Sequence, residues 1–328
     1  MNSRLLLAAA FSVALSSAQG AENYQVPKTE WGHPDLQGVW NFSSNIPMTR
    51  PRQFGDREYM TQEEADAIAA MSEAGYEALN NAGVGGYNTF WVESAGRGDN
   101  LRTSLITYPI NGQLPERVEG AVIQVGGLGP DFQGQRPVLT TVGGIGKDGP
   151  EDRGTSERCI QGFNAGPPFT PSMYNNNVQI IQNRDTVVLM TEMIHDARII
   201  PLDGRDHVSD DIRLWSGDSR GYWDGDTLVV QTRNFNAFTQ SFSVFGDSSE
   251  KVLTERFTRM DDFTVDYEFT VEDPATFQDK IVARIPMAKV DGQMYEYACH
   301  EGNYGMVNIL RGERMEEARA VGGSEGND

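Results

Sequence analysis

The chain of 328 residues carries 27 Lys and Arg against 47 Asp and Glu, which gives a net charge of −20 at pH 7. This charge excludes a basic surface for nucleic acid or an anionic membrane, since both require clustered cations. The hydrophobic share of 38%, together with 35 Gly, is typical of a folded chain rather than a disordered one. The two Cys exclude a disulfide-dense scaffold and any metal site built from four Cys.

The first twenty residues have the pattern of a signal peptide. Arg4 supplies a positive charge, residues 5–15 form an apolar run, and residues 18–20 offer small side chains for cleavage. The apolar run is shorter than the ~20 residues that span a bilayer, so we expect a periplasmic or secreted protein without a membrane span. In that compartment Cys159 and Cys299 would pair as a disulfide; two buried thiols are the alternative.

Residues 21–100 are predicted to hold an N-terminal strand, a helix and a loop insertion. The strand covers 36–44 and places Trp40 and Phe42 on one face. Thr61 and Glu64 have the spacing of a capping box, and apolar residues follow it at helical spacing: Ala65, Ile68, Ala69, Tyr76 and Leu79. Two Gly-rich stretches are predicted to be long loops: 80–98 and 125–170.

Residues 101–320 are predicted to form a β-barrel domain that includes the strand at 36–44, followed by a flexible acidic tail at 321–328. Runs of β-branched and aromatic residues alternate with short turn signals, which predicts successive hairpins. The paired strands are 178–182 with 186–193, 221–223 with 227–232, 252–260 with 264–271, and 281–289 with 293–299. A mainly β, antiparallel up-and-down barrel is expected, because closure removes the exposed edges of such a meander. A strand near 104–108 is expected to join it.

Several long motifs also carry a resemblance to a protein family. They are HPDLQGVW (33–40), MTQEEA (60–65), NNNVQIIQ (175–182), EMIHDARIIPLDGR (192–205), GYWDGDTLVVQTRNF (221–235), ERFTRMDDFTVDYEFTVEDP (255–274) and YEYACHEGNYGM (295–306). On these stretches the protein resembles a widespread group of exported bacterial proteins, and the resemblance covers most of the mature chain. The resemblance implies a lipocalin-type or calycin-like barrel, and it brings no assigned reaction with it.

Two of the four His are candidate catalytic residues. Glu192, His195, Asp196 and Arg198 lie within one short segment, and His300 follows the last predicted strand. Both His with the two carboxylates are predicted to form an acid/base group at the barrel mouth, and Arg198 to hold an anionic part of the substrate. The alternative is a plain ion pair of Arg198 with Glu192 or Asp196, with both His satisfied by backbone carbonyls. A metal site is disfavoured because the two His lie far apart in sequence.

Further side chains are predicted to contact the substrate: Tyr222, Trp223, Glu296 and Tyr297. Other aromatic residues would either line the same cavity or form the core: Trp40, Trp91, Trp215, Tyr267 and Tyr295. Of the remaining His, His33 is interpreted as a packing or capping residue and His207 as solvated.

The expected function is that of a cofactor-independent acid/base enzyme of lyase or isomerase type, or a hydrolase, since no nucleotide-binding motif is present. Its substrate would be a small organic, terpenoid-like, steroid-like or carbohydrate-derived molecule in a barrel pocket. A non-catalytic, lipocalin-like periplasmic ligand-binding protein is the alternative. Neither a metal, a cofactor nor a nucleic-acid partner is expected, and the oligomeric state is left open.

Overall fold

The computed structural model describes residues 24–80, 93, 100–121 and 146–324. The predicted signal peptide, most of the first Gly-rich stretch with Trp91, residues 125–145 of the second, and the last four residues of the tail lie outside the described residues. The described strands are β1 (Gly38–Asn41), β2 (Ile106–Tyr108), β3 (Asn177–Gln182), β4 (Thr186–Thr191), β5 (Ala197–Pro201), β6 (Asp218–Asp224), β7 (Thr227–Arg233), β8 (Val252–Arg259), β9 (Thr264–Glu272) and β10 (Ile281–Val290). The helices are α1 (Gln62–Asn80) and α2 (Tyr304–Ser324).

The strands form one antiparallel sheet in the order β5-β4-β3-β1-β10-β9-β8-β7-β6, and β2 pairs with β10 beside this path. The sheet curls until its two ends, β5 and β6, face each other. A Cβ on Gly221 of β6 would lie 2.8 Å from Cγ2 of Ile200 on β5, so the glycine permits this close approach. The result is the predicted mainly β, nearly closed barrel.

The hairpins β3–β4, β6–β7 and β8–β9 confirm three of the predictions. In the β6–β7 turn, Gly225 has a φ of 60°, a conformation that two-residue hairpin turns require. The fourth predicted hairpin is wrong: residues 293–299 form no strand, and Tyr297 makes only an isolated bridge with Met193. The reason is that β10 already pairs with β9 on one edge and with β1 and β2 on the other.

Alternate residues of the strands point into the barrel and fill it. Trp40 and Phe42 are fully buried there, as are Tyr267 and Phe269 of β9. The segment 161–171 closes one end by inserting Phe169, whose ring centroid lies 5.1 Å from that of Phe42 and 5.4 Å from that of Tyr267. The barrel interior is therefore packed core, with Phe169 as a plug.

Helix α1 begins where the capping box predicts. Thr61 Oγ1 accepts a hydrogen bond from the Glu64 amide, and Glu64 Oε2 accepts one from the Thr61 amide. Ala65 is buried and Ile68 packs beside it against Phe54 and Met60. Helix α2, by contrast, was not predicted; it extends through residue 324 and so includes the first half of the predicted flexible tail.

Helix α2 is held at its middle by the segment that follows the second Gly-rich stretch. Glu313 forms a salt bridge of 3.1 Å with Lys147, and Arg314 donates to the carbonyl of Asp148 at 3.0 Å. Of the two helices in the described ranges, neither combines the length and the apolar character needed to cross a bilayer.

The predicted disulfide is present. Cys159 and Cys299 are bonded, with their Cα atoms 5.8 Å apart. The bond packs with Met193, Ile194 and Ala165, and it ties the loop that leads to the Phe169 plug to the segment after β10. Such a bond persists in an oxidising compartment.

Candidate functional site

The predicted His195 group forms in part, on the surface. Ile194 and His195 have φ values of 63° and 47°, which turn the chain sharply between β4 and β5. This turn places His195 Nδ1 at 3.5 Å from both the Tyr297 carbonyl and Glu296 Oε1. The side chains of His195 and Glu296 are 38% and 58% exposed. Three predicted residues thus meet, but they do so without an enclosing cavity.

His300 lies elsewhere on the surface. It lines a shallow depression with Arg158, Ile160 and Met306 of α2, and among the described residues His195 does not contribute to that depression. The structure therefore does not bring the two predicted catalytic His into one pocket.

Arg198 points into the barrel and not toward the His195 turn. Its Nη1 and Nη2 donate to the two carboxylate oxygens of Glu255 at 2.6 and 2.9 Å, and the Tyr267 hydroxyl donates to the same carboxylate at 2.7 Å. Burial raises the pKa of Tyr267 well above its usual range, and the Glu255 carboxylate adds to this shift. The partner of Arg198 is thus Glu255 rather than Glu192 or Asp196, and its guanidinium is not placed to hold a substrate.

Glu192 belongs to a separate polar network next to β1 and β3. Asn177 Nδ2 donates to Glu192 Oε2 at 2.8 Å, while Asn41 and Asn176 each donate to Glu93 Oε2 at 2.8 Å. Burial raises the pKa of Glu192, and the nearby Glu93 carboxylate raises it further. Asparagine side chains therefore satisfy both carboxylates.

Asp196 accepts a hydrogen bond from Ser216 Oγ at 3.1 Å, outside this network. The predicted substrate-binding aromatics on β6 also lie apart from it. Tyr222 is exposed on the outer face of the barrel, whereas Trp223 stacks on His33 with ring centroids 5.4 Å apart. The packing role of His33 is confirmed.

The interpretation of His207 as solvated is wrong. Its Nδ1 lies 2.8 Å from the carboxylate of Asp218, which also accepts from Arg220 at 2.7 Å. The side chains of His207 and Asp218 are mostly buried. Asp218, at the start of β6, explains why His207 is mostly buried, because its carboxylate gives the imidazole a hydrogen-bond partner.

A cavity of about 280 Å³ lies between the Phe169 plug segment and the loop that connects β7 to β8. Its lining residues are Met48, Gln161, Gly162, Phe163, Gly166, Pro167, Pro168, Thr170, Pro171, Thr239, Gln240, Ser241, Phe242, Ser243 and Lys251. The connecting loop is fixed by its own hydrogen bonds, including Ser248 to the carbonyls of Thr239 and Gln240. The cavity is therefore built from two ordered segments rather than from the barrel interior.

Lys251 is one of the residues that line this cavity, and its amine is buried. The residue is 3% exposed, its Nζ donates to the Ser241 carbonyl at 3.2 Å, and it lies 4.1 Å from the centroid of the Phe235 ring. Burial lowers the pKa of Lys251 to about 7, and the carboxylates of Asp273 and Glu255 offset only part of that effect. Among the salt bridges of the described residues none includes Lys251, and the lowered pKa brings the titration of its amine close to neutral pH.

Two further polar atoms of the lining lack a partner in the described structure. Ser241 Oγ and Gln161 Oε1 are buried without a hydrogen bond, although Gln161 Nε2 donates to the Trp215 carbonyl at 2.8 Å. Buried polar atoms are normally satisfied, so these two atoms, which belong to residues of the lining, are exceptions beside the cavity. A neutral amine, a hydroxyl and an amide oxygen in one mainly apolar cavity can bind a small molecule and transfer protons to or from it.

This site was not predicted from the sequence. Lys251 follows Ser248, Ser249 and Glu250, a polar run that reads as an exposed turn, and no motif marks it. One weak signal was available: Lys251 directly precedes the alternating pattern of β8, where the chain re-enters the core.

Comparison with known proteins returned no match, whether to a protein-family model, a curated protein or a solved structure. The resemblance to exported barrel proteins thus rests on the sequence motifs and stays a prediction, while the observed barrel is compatible with a calycin-like fold. Within the described ranges, no group of three or more His, Cys, Asp and Glu is placed to hold a metal ion.

Proposed function

We propose that this protein is an exported, cofactor-independent enzyme of lyase or isomerase type that moves protons on a small organic molecule, with Lys251 as its base. The observation that carries the proposal is the buried amine of Lys251, a residue that lines the 280 Å³ cavity. An amine whose pKa burial lowers to about 7 can accept a proton near neutral pH, and its conjugate acid can return that proton to another atom of the substrate. This assigns the base to Lys251 in place of His195 and His300.

The other polar groups of the cavity have complementary roles in this proposal. The Ser241 hydroxyl would donate to the oxygen on which negative charge develops as the proton leaves. Gln161 Oε1 would accept from a donor group on the substrate and so orient it. The cavity lies near the lower end of the roughly 300–1,000 Å³ range of ligand pockets, so a small molecule fits better than a steroid.

The experiment is solvent deuterium exchange followed by proton NMR. The mature protein in D₂O is incubated with neutral carbon acids, namely cyclohexanone, phenylacetone, γ-butyrolactone and phenylacetonitrile. We expect exchange of at least one compound, slowed by roughly 10²–10⁴-fold in Lys251→Met, which is the usual contribution of a positioned base. Lys280→Met is the matched control, because Lys280 is exposed.

Equal exchange in wild type and Lys251→Met would contradict the proposal, and so would the absence of exchange with every compound. If calorimetry then detected binding of these compounds, the ligand-binding alternative would replace the enzyme. Phe242→Ala would weaken binding in that case, since Phe242 supplies apolar cavity wall.

A further inference from the structure

We infer that the substrates of this cavity are neutral aldehydes or ketones, and that Lys251 holds them covalently as an imine. The inference rests on the proposed function and adds the substrate class and a nucleophilic role for the same amine. Its geometric basis is a buried lysine that is one of the residues lining the cavity and whose amine is held by the Ser241 carbonyl and the Phe235 ring. Desolvated lysines in apolar pockets are the ones that attack carbonyl carbons.

The charge of the lining favours a neutral substrate. Among the lining residues in the described part of the chain, Lys251 is the one that can carry a charge. An anionic substrate, such as a keto acid, would have to use the lysine as its counterion, which would keep the amine protonated and remove its nucleophilic lone pair. A neutral carbonyl compound leaves the amine free to react.

The attack forms one bond and breaks one. The neutral Nζ attacks the carbonyl carbon, the C–N bond forms, and the carbonyl π electrons move to oxygen, where the Ser241 hydroxyl can donate a hydrogen bond. One proton moves from nitrogen to this oxygen and a second protonates it from the medium. The nitrogen lone pair then expels water, which leaves a protonated imine on Lys251. The step consumes the carbonyl compound and one proton and releases one water, with no oxidant or reductant.

The imine also explains how a weak carbon acid could lose a proton in this cavity. A protonated imine withdraws electrons from the adjacent carbon more strongly than the parent carbonyl does, so its C–H bond is more acidic. The pKa of Lys251, lowered by burial to about 7, makes the unprotonated amine abundant at neutral pH, whereas ordinary lysines stay charged.

The test is reductive trapping of the wild-type protein at pH 7. Cyclohexanone or benzaldehyde is added with cyanoborohydride, which reduces an imine to a stable secondary amine, and peptide mapping by mass spectrometry locates the adduct. We expect modification of Lys251 at roughly 10²-fold or more the rate of the exposed lysines Lys28, Lys280 and Lys289, because the burial that lowers the pKa of Lys251 is absent at exposed positions. Pyruvate serves as the anionic comparison probe.

Each outcome of the trapping and exchange experiments supports or contradicts a specific proposal. Selective trapping at Lys251 with the neutral probes supports the inference, and faster trapping with pyruvate than with cyclohexanone would overturn its substrate class. If Lys251 is not modified but deuterium exchange still depends on it, the imine is overturned and the proposed base function stands. If neither is observed, both fall. Because the mapping uses wild-type protein, the result does not depend on the folding of a variant.

Discussion

Two buried cations of this protein differ in how they are compensated. Arg198 lies inside the barrel with a two-pronged salt bridge to Glu255, and Tyr267 completes the carboxylate's hydrogen bonds. Lys251 lies at the cavity, where its described partners are backbone carbonyls and an aromatic ring. Both side chains are nearly inaccessible to water.

This difference determines which buried group can take part in a reaction. A guanidinium that is fully paired stays charged and gives no proton to a reaction, so Arg198 serves the structure. An amine without a carboxylate partner loses much of its charge near neutral pH and can act as base or nucleophile. A charged residue that a salt bridge fully compensates is therefore a weaker sign of function than one at a cavity whose charge carboxylates compensate only in part.

The largest expected effect is on the compensated pair. Glu255→Leu should lower the free energy of unfolding by about 3–5 kcal/mol, because it leaves the Arg198 charge buried without a partner. The double variant Arg198→Met/Glu255→Leu should recover most of this loss in urea unfolding. If the double variant is no more stable than Glu255→Leu alone, the pairing does not explain the burial of Arg198.

Loss of the disulfide should lower the local stability of residues 159–171, which lead to and line the cavity, more than that of the barrel strands. Cys159→Ser/Cys299→Ser removes a link between residues 140 apart in sequence and should cost about 2–4 kcal/mol. In native-state hydrogen exchange we expect the amides of 159–171 to lose protection while those of β8 and β9 keep theirs. Equal loss in both regions would show that the bond stabilises the molecule as a whole.

The lysine predicts a specific dependence of stability on pH. The folded-state pKa of Lys251 is about 7, below the ordinary lysine pKa. Between these two pKa values the amine of residue 251 is protonated in the unfolded chain but mostly neutral in the folded protein. Wild-type stability should then rise relative to Lys251→Met by up to about 1.4 kcal/mol per pH unit, and below pH 7 the difference should be constant. Urea unfolding of both proteins between pH 6 and pH 9 measures it, and a flat difference would refute the buried, shifted amine.

The smallest effect is expected at His195, which is half-buried, and at His300, which is exposed. His195→Ala and His300→Ala should each change the free energy of unfolding by no more than about 0.5 kcal/mol, as surface positions do. Neither should alter the Lys251-dependent deuterium exchange. A clear loss of exchange in either variant would return the catalytic role to the predicted His group.

Much of the fold followed from local pattern. The alternation of β9, with Val265, Tyr267, Phe269 and Val271 on one face, matched the buried set, and the Thr61–Glu64 pair marked the start of α1. The strand prediction was wrong at residues 293–299. Their composition is typical of a strand, but both edges of β10 were already paired, with β1 and with β9. Strand propensity describes a residue's fit to a pleated surface, not the existence of a free edge.

The candidate site was far less accessible to sequence reasoning. The segment around His195 attracted attention because its charged residues are adjacent in sequence, yet the chain sends Arg198 inward, Glu192 to an asparagine network and His195 to the surface. Lys251 was not selected as a candidate, because a lysine in a polar run is solvated in most proteins.

The mainly β class, most strand positions and the start of α1 could be predicted from the sequence, because side-chain periodicity and capping depend on residues a few positions apart. The choice between a disulfide and two buried thiols, and which charges are buried with or without a partner, depend on the tertiary structure. Glu255 lies 57 positions from Arg198 along the chain, and the cavity joins Lys251 to a segment about residue 165. The pKa of a buried group depends on the solvent that is removed and the charges that surround it, and both are properties of the assembled fold.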